Sequence, residues 1–271
     1  MFAHNVVSVR KLRRLAGQCS FIAGLVWAWR PFLTDFWAAL KRYDAAKACK
    51  NKPGRRCLRG CVWTKQIRQA LRWLVLFLAM RSDTMSKAFY TRPADVPEDV
   101  VIITTDACTT GLGGTLHING ILIACFSSML TAFDARWFSF VLGDSRGQQC
   151  WETLALLVAL RLWTPYWKTR AVQLRVRSDS VAGLTALGRL KSSGPMLQYL
   201  AREFSFDLGR ALYCPTAVSH TPGHANCDAD QLSRRWESCP AAPVPAHLAH
   251  CHVVPAGRSK AYFVQKRRVK R

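Results

Sequence analysis

The first third of the chain carries apolar residues at helical spacing. Apolar positions recur every three or four residues over 7–43 and again over 64–80, and no stretch within 1–93 alternates as a strand does. Between these segments, residues 47–61 are rich in Lys, Arg, Gly and Pro, which is typical of an exposed loop. The pattern predicts a basic α-helical region over residues 1–95. Its loop could be a solvated connector or a segment that contacts phosphates.

The pattern changes after Thr91, where two prolines mark a turn and a domain boundary, and strand signals follow. The Asn119-Gly120 pair between two of them is a strong hairpin signal, Pro215 favours an edge position for the last strand, and Asn226 is a candidate helix cap. The predicted strands are VVIITTDA, GGTLHI, ILIACFSS, AVQLRVRSDS and ALYCPTAVSH, and the predicted helices are QQCWETLALLVALRLW, SVAGLTALGRL, PMLQYLAREFSF and CDADQLSRRW. This order predicts an α/β domain over residues 96–238, a mixed five-stranded sheet flanked by helices.

The C-terminal segment, residues 239–271, has a different composition. It is rich in Pro and Ala and ends in the basic run KAYFVQKRRVKR. This composition predicts a disordered tail. The basic end could bind nucleic acid, act as a nuclear import signal or simply be solvated.

The charge balance narrows the choice of partners. The chain has 39 Lys and Arg against 16 Asp and Glu, a net charge of +23 that attracts polyanions and makes nucleic acid the first candidate. The apolar runs Phe21–Trp29 and Trp73–Met80 are too short to span a bilayer, so no membrane partner is expected. The N-terminus lacks a clear cleavage site for secretion, so we expect an intracellular protein of the cytoplasm or nucleus.

The eleven cysteines predict reduced thiols rather than disulfides, because their number is odd and several fall inside apolar patterns. Two groups of residues contain thiol or imidazole side chains, the kinds that bind zinc. They are Cys49, Cys57 and Cys61, and Cys239, His247, His250, Cys251 and His252. Neither group has the paired C-x-x-C spacing of a closed tetrahedral site, so structural zinc is not expected.

Four acidic residues stand where the surrounding pattern calls for a rigid or buried side chain. Asp106 closes the first strand, Glu152 lies at the start of an almost wholly apolar helix, Asp179 follows the fourth strand, and Asp230 lies in the last helix. Taken singly, each is more often a surface cap or a salt-bridge partner. Carboxylates that converge from separate elements need counter-charges, and oxygen ligands favour Mg²⁺ or Mn²⁺. Two such ions can activate water for phosphodiester cleavage, which needs no nucleophilic side chain.

Four motifs, taken together and in order, resemble the ribonuclease H domain of retroelement reverse transcriptases. They are TTDACTTGLGG, CWETLALLVAL, RSDSVAGL and HTPGHANCDADQLSR, of which the last is the most specific. The chain departs from the family at Cys108, where serine is usual, and at Gly114, where alanine is common. Asp228 is a nearby carboxylate whose spacing from Asn226 does not match the motif.

The resemblance assigns roles to five residues and implies a reaction. It implies a ribonuclease H-like fold in which Asp106, Glu152 and Asp179 hold two Mg²⁺ or Mn²⁺ ions and Asp230 completes the second metal site. His220 matches a mobile histidine that assists proton transfer or product release. The implied reaction is cleavage of the RNA strand of an RNA/DNA hybrid, leaving a 3′ hydroxyl and a 5′ phosphate.

The helical region carries a second, weaker resemblance. Within Val7–Leu40, the run LRRLAGQCSFIAGLVWAWRPFL is similar to the thumb or connection region that follows the palm in reverse transcriptases of tyrosine-recombinase retroelements. The chain contains no adjacent aspartate pair, so polymerase activity is not expected, and other parts of a retroelement polyprotein are possible partners. Trp27, Trp29 and Trp37, with Arg30, could line a nucleic-acid groove or belong to a core.

Two other functions fit parts of this pattern. One is a nucleic-acid-binding remnant without catalysis, and the other is a transposase or integrase nuclease that acts on DNA. The four acids and His220 favour an active enzyme over a remnant. The histidine loop before Asp230 favours a ribonuclease H over an integrase.

Overall fold

The computed structural model describes residues 5–48, 60–79, 98–192 and 194–264. Two compact units divide the chain: Met1–Phe89 with Arg268–Arg271, and Tyr90–Arg267. The predicted boundary at 92–97, most of the basic loop and two zinc candidates, Cys49 and Cys57, lie outside the described residues. Within the described ranges, no helix combines the length and the apolar character needed to cross a membrane.

The first unit is helical, as its periodicity predicts. Its elements are β1 (Val6–Ser8), α1 (Val9–Leu25), α2 (Arg30–Ala48), β2 (Cys61–Trp63) and α3 (Arg68–Ala79). The Ser8 side chain caps α1 by accepting from the backbone N–H of Lys11. The antiparallel pair β1–β2 was not predicted, because strands of three residues are too short to show alternation.

Apolar side chains of α2 and α3 meet in the core of this unit, and α1 packs on α2. Phe32 and Phe77 lie 5.5 Å apart, and Trp29 packs edge-on against Phe77. Trp29 is therefore a core residue, whereas Trp37 is 47% exposed and donates to the hydroxyl of Ser20. Of the two interpretations left open for the tryptophans, the core one applies to Trp29.

The second unit is built on a five-stranded mixed sheet. Its strands are β3 (Asp99–Ala107), β4 (Gly111–Ile118), β5 (Ile121–Met129), β6 (Val172–Ser178) and β7 (Ala217–His220), in the order β5-β4-β3-β6-β7. The first three strands form an antiparallel meander, and β6 and β7 add in parallel. Asn119 and Gly120 connect β4 to β5 with φ of 52° and 82°, the positive values that such a tight turn requires. Pro215 precedes the edge strand β7 and so removes no ladder donor.

Helices pack on this sheet, so the predicted α/β architecture, a mixed five-stranded sheet flanked by helices, is confirmed. They are α4 (Ala132–Phe138), α5 (Gln148–Leu162), α6 (Val181–Gly188), α7 (Pro195–Gly209) and α8 (Cys227–Arg234). The central helix α5 contacts β3 and β4 as well as α6 and α7, which explains why it is apolar nearly all round. Helix α8 packs on β3, β4 and β5. Helix α4 is an addition to the predicted elements.

Two sequence expectations are corrected at helix starts. Helix α5 begins at Gln148, so Glu152 lies in its second turn and not at the first turn, where the helix dipole would favour a carboxylate. Asn226 does occupy the cap position of α8, but its side chain makes no capping hydrogen bond. Its amide nitrogen donates instead to the carbonyl of Thr105, 3.2 Å away on β3.

The expectation of a disordered tail is wrong for residues 239–264, which pack against the rest of the second unit. Leu248 and Phe263 are fully buried, and Val253 donates its backbone N–H to the carbonyl of Cys125 on β5. Apart from a short 3-10 helix at Ala246–Cys251, the segment has no regular secondary structure, so hydrophobic periodicity could not reveal its packing. Residues 265–271 lie outside the described part of the chain.

Candidate active site

Asp106 lies at the end of the central strand β3, which is paired on both sides. Its partner on β4 is Gly113, and the preceding Thr105 is aligned with Ser178 on β6. The side chain is buried, and the pKa of the Asp106 carboxyl is raised from an ordinary value of 3.8 to about 7, chiefly because burial disfavours the charged form. The negative charges of Asp179, Asp230 and Glu152 contribute to this rise, and a hydrogen bond from Ser233 opposes it. The charges of the other three predicted acids therefore all act on Asp106.

Glu152 is held toward the end of β3 by the residue one turn before it. The side-chain amide of Gln148 donates to Glu152 Oε1 at 3.1 Å and also to the carbonyl of Ala107, next to Asp106. Burial raises the pKa of Glu152, hydrogen bonds from Ser180 and Gln148 lower it, and the charge of Asp179 raises it. Gln148 is a site residue that the sequence interpretation missed, although it stands four positions before the acid on the same helical face.

Asp179 occupies the short connection between β6 and α6. Its Oδ1 atom is buried, and among the described residues it has no hydrogen-bond partner. The next residue, Ser180, caps α6 by accepting from the N–H of Gly183 at 3.1 Å. The strand end and the helix start thus fix a carboxylate oxygen that lacks a donor.

Asp230 lies in the first turn of α8 and accepts from Arg234 one turn later, with Nε 2.6 Å from Oδ1. The start of this helix is tied to β3 by the amide of Asn226. A Cβ atom on Gly113 would lie 2.3 Å from the carbonyl oxygen of Ala229, so only glycine lets the helix approach β4 this closely. The glycine of the first motif thereby brings Asp230 toward Asp106.

His220 ends β7 and is exposed. The parallel register pairs it with Ser178, directly before Asp179, and Thr221 donates its N–H to the Ser178 carbonyl. The loop that follows also runs close to this acid, since a Cβ on Gly223 would lie 3.9 Å from Asp179 Oδ2. His220 therefore lies at the same end of the sheet as Asp179.

Asp228 belongs to a different environment. It lines a cleft of about 420 Å³ between the sheet and the start of α8, together with Thr104, His117 and Arg177. Its Oδ1 lies 3.0 Å from His247 Nε2 in the C-terminal segment. The charge of Asp230, in contrast, is among those that raise the pKa of Asp106. Of the two acids of α8, Asp230 is therefore the one associated with Asp106.

The donor chemistry of the four carboxylates suits a hard divalent cation. All their ligand atoms are oxygens, the negative charges oppose one another, and Asp179 Oδ1 has no hydrogen-bond donor among the described residues. Across the described part of the chain, however, no three His, Cys, Asp or Glu side chains stand close enough together to hold an ion. The carboxylate oxygens are ligands of the type that such a cation prefers. The four side chains must move closer to one another to bind it.

No family model matches the chain, and no curated protein matches it. Among solved structures, the chain is similar to ribonuclease H1 from the halophilic archaeon Halobacterium salinarum NRC-1, with 17% identity, a TM-score of 0.36, and coverage of 49% of this chain and 92% of that one. The chain is also similar to LC11-RNase H1, solved in complex with an RNA/DNA hybrid. The identity is 21% and the TM-score 0.37, and the match covers 49% of this chain and 92% of that one.

A third similar structure is the foamy viral protease-reverse transcriptase in complex with dsDNA. Its identity is 15% and its TM-score 0.29, over 75% of this chain and 38% of that one.

Proposed function

We propose that this chain is a metal-dependent endonuclease that cleaves the RNA strand of RNA/DNA hybrids, as a reverse-transcriptase-associated ribonuclease H does. The observation that carries the proposal is the buried Asp106 carboxyl at the end of β3, whose pKa is raised by burial and by the charges of three acids from other parts of the fold. Converging carboxylates of this kind are costly unless a cation neutralises them. The order of the four acids along the chain, each within its motif, supports the ribonuclease H assignment.

In this proposal, Asp106, Glu152, Asp179 and Asp230 hold two Mg²⁺ or Mn²⁺ ions. The bound ions would activate water and stabilise the leaving oxygen. Gln148 orients Glu152 against the end of β3. His220 is exposed beside Asp179 and is free to move a proton or to assist product release, the role that its motif implies.

Affinity for the substrate would come largely from the phosphate backbone. Residues 1–89 contain 18 Lys and Arg and three Asp and Glu, a net charge of +15. Such a charge gives sequence-independent, salt-sensitive binding. We therefore propose nucleic acid as the partner of the helical unit. We also propose other parts of a retroelement polyprotein as further partners, and an intracellular location in the cytoplasm or nucleus.

The test incubates the full chain with end-labelled RNA/DNA hybrid, RNA duplex and DNA duplex, with Mg²⁺, with Mn²⁺ or with a chelator. We expect metal-dependent cutting of the RNA strand of the hybrid alone, abolished by Asp106→Asn. Asp99→Asn is the matched control, because Asp99 starts the same strand and bonds to Asn119 and Arg170, away from the acids. Cutting of the DNA duplex would favour the integrase alternative, and salt-sensitive binding without cutting would leave a binding remnant.

A further inference from the structure

The hydroxyl of Ser233 is fully buried and bonds to the central acid of the site. Ser233 Oγ lies 2.6 Å from Asp106 Oδ2, although the two residues are 127 positions apart. It also lies 2.9 Å from the carbonyl of Asp230 in its own helix. A hydroxyl has a single proton to donate, and a carboxylate is a stronger acceptor than a backbone carbonyl. The Ser233 hydroxyl therefore donates its hydrogen bond to Asp106.

The fold brings Ser233 to Asp106 through close backbone contacts. A Cβ atom on Gly113 would lie 2.6 Å from the backbone nitrogen of Ser233, and one on Gly111 would lie 2.3 Å from its carbonyl oxygen. The thiol of Cys108, two residues after Asp106, donates to that same carbonyl at 3.2 Å. Two glycines and a cysteine of the first motif thus hold the backbone of Ser233 against the strand end that carries Asp106.

We propose that Ser233 is a positioning residue that orients the Asp106 carboxylate for divalent-cation binding, an inference that rests on the proposed function. Its hydroxyl holds one carboxylate oxygen, so the carboxylate cannot rotate freely and its other oxygen keeps a fixed direction. Because Asp230 lies one turn before Ser233 on α8, the same contact fixes the helix carrying one acid against the strand carrying another.

A purely structural serine would behave differently, and the chain offers one for comparison. Ser127 on β5 is also buried, donates to the carbonyl of Leu232 in α8 at 2.7 Å and accepts from the indole of Trp236. It anchors the same helix but bonds to no acid. Ser127→Ala therefore reports the cost of losing a buried hydroxyl that anchors α8 but does not bond to Asp106.

The experiment measures Mn²⁺ binding to the full chain by electron paramagnetic resonance, beside thermal unfolding in a chelator and cleavage of the hybrid. We expect Ser233→Ala to weaken Mn²⁺ binding about tenfold, the usual effect of losing one hydrogen bond to a charged group, while Ser127→Ala stays within about twofold of the parent. Should the alanine variant not fold, Ser233→Cys keeps the shape, weakens the donor and is expected to lose affinity in the same direction.

Three outcomes separate this inference from the proposed function. Equal Mn²⁺ affinity in the parent and the folded Ser233 variants overturns the positioning role, as does an equal loss in Ser127→Ala. A parent protein that binds Mn²⁺ and loses affinity in Ser233→Ala, yet cuts no hybrid, supports the positioning role and removes the nuclease function. A parent protein that binds no Mn²⁺ overturns both.

Discussion

Arg258 and Asp134 form an ion pair whose side chains are 2% and 0% exposed, with Nε 2.9 Å from Oδ1 and Nη2 3.0 Å from Oδ2. The same guanidinium donates to the hydroxyl of Ser128 and the carbonyl of Met129 at the end of β5. Asp134 in turn accepts from the N–H of Thr131, closing the capping box of α4. The C-terminal segment is therefore part of the second unit.

Replacing Arg258 by methionine is expected to lower the free energy of unfolding by about 3–5 kcal/mol, because Asp134 then stays buried without its cation. Urea unfolding measures the loss. Arg136→Met is the matched control: this arginine is exposed on α4, and its Nε only donates to the carbonyl of Ala132, so its replacement should cost less than about 0.5 kcal/mol. Similar losses in both variants would contradict a structural role for the C-terminal segment.

Asp230→Asn is expected to reduce hybrid cleavage by at least about a hundredfold, the effect of removing one electrostatic group from an active site. Asp228→Asn controls for the helix, because both acids lie in the first turn of α8, but Asp228 lines the cleft and bonds to His247. The cleavage rate of Asp228→Asn should stay within about threefold of the parent rate, since an exposed salt bridge of this kind contributes little to folding stability. Single-turnover kinetics on a labelled hybrid measure both. Equal losses would mean that Asp228 also belongs to the metal site.

Gly113→Ala is expected to destabilise the second unit by about 1–3 kcal/mol and to reduce cleavage. The added methyl group would overlap the backbone of α8 at Ala229 and Ser233, so the helix must move away from Asp106. Gly188→Ala, at the end of α6, is the control, because its Cβ would meet Val218 at an ordinary 3.6 Å. Thermal unfolding together with the cleavage assay tests this. If Gly113→Ala kept the stability and the cleavage rate of the parent, the close approach of α8 to β4 would not be required.

The sequence predicted the features that are local in the chain. The strand ending at Asp106, the Asn119-Gly120 turn and the helix carrying Asp230 follow from periodicity and turn chemistry over a few residues. Contacts across more than 120 residues, such as those of Ser233 and Arg258, leave no periodic signal and were missed. The LSR end of the last motif was the available clue to Ser233.

The raised pKa of Asp106 makes the stability of the metal-free protein depend on pH. The unfolded chain releases this proton near the ordinary value of 3.8, whereas the folded protein keeps it until about pH 7. Between these values the folded state binds more protons, so the stabilising contribution is complete below about pH 4 and is lost as pH rises to about 7. The loss from this group is at most about 4 kcal/mol. The raised pKa of Glu152 adds a loss of the same sign.

In a chelator, urea unfolding at pH 5 and pH 8 should show lower stability at pH 8. Asp106→Asn should remove much of the difference by stabilising the protein at pH 8, whereas Asp99→Asn, on the exposed end of the same strand, should leave it intact. Adding Mg²⁺ at pH 8 should restore stability to the parent but not to Asp106→Asn, because an ion that binds only the folded state stabilises it by mass action. A parent protein equally stable at both pH values, or a variant that Mg²⁺ stabilises as strongly as the parent, would contradict a buried Asp106 carboxyl that gives up its proton to bind a cation.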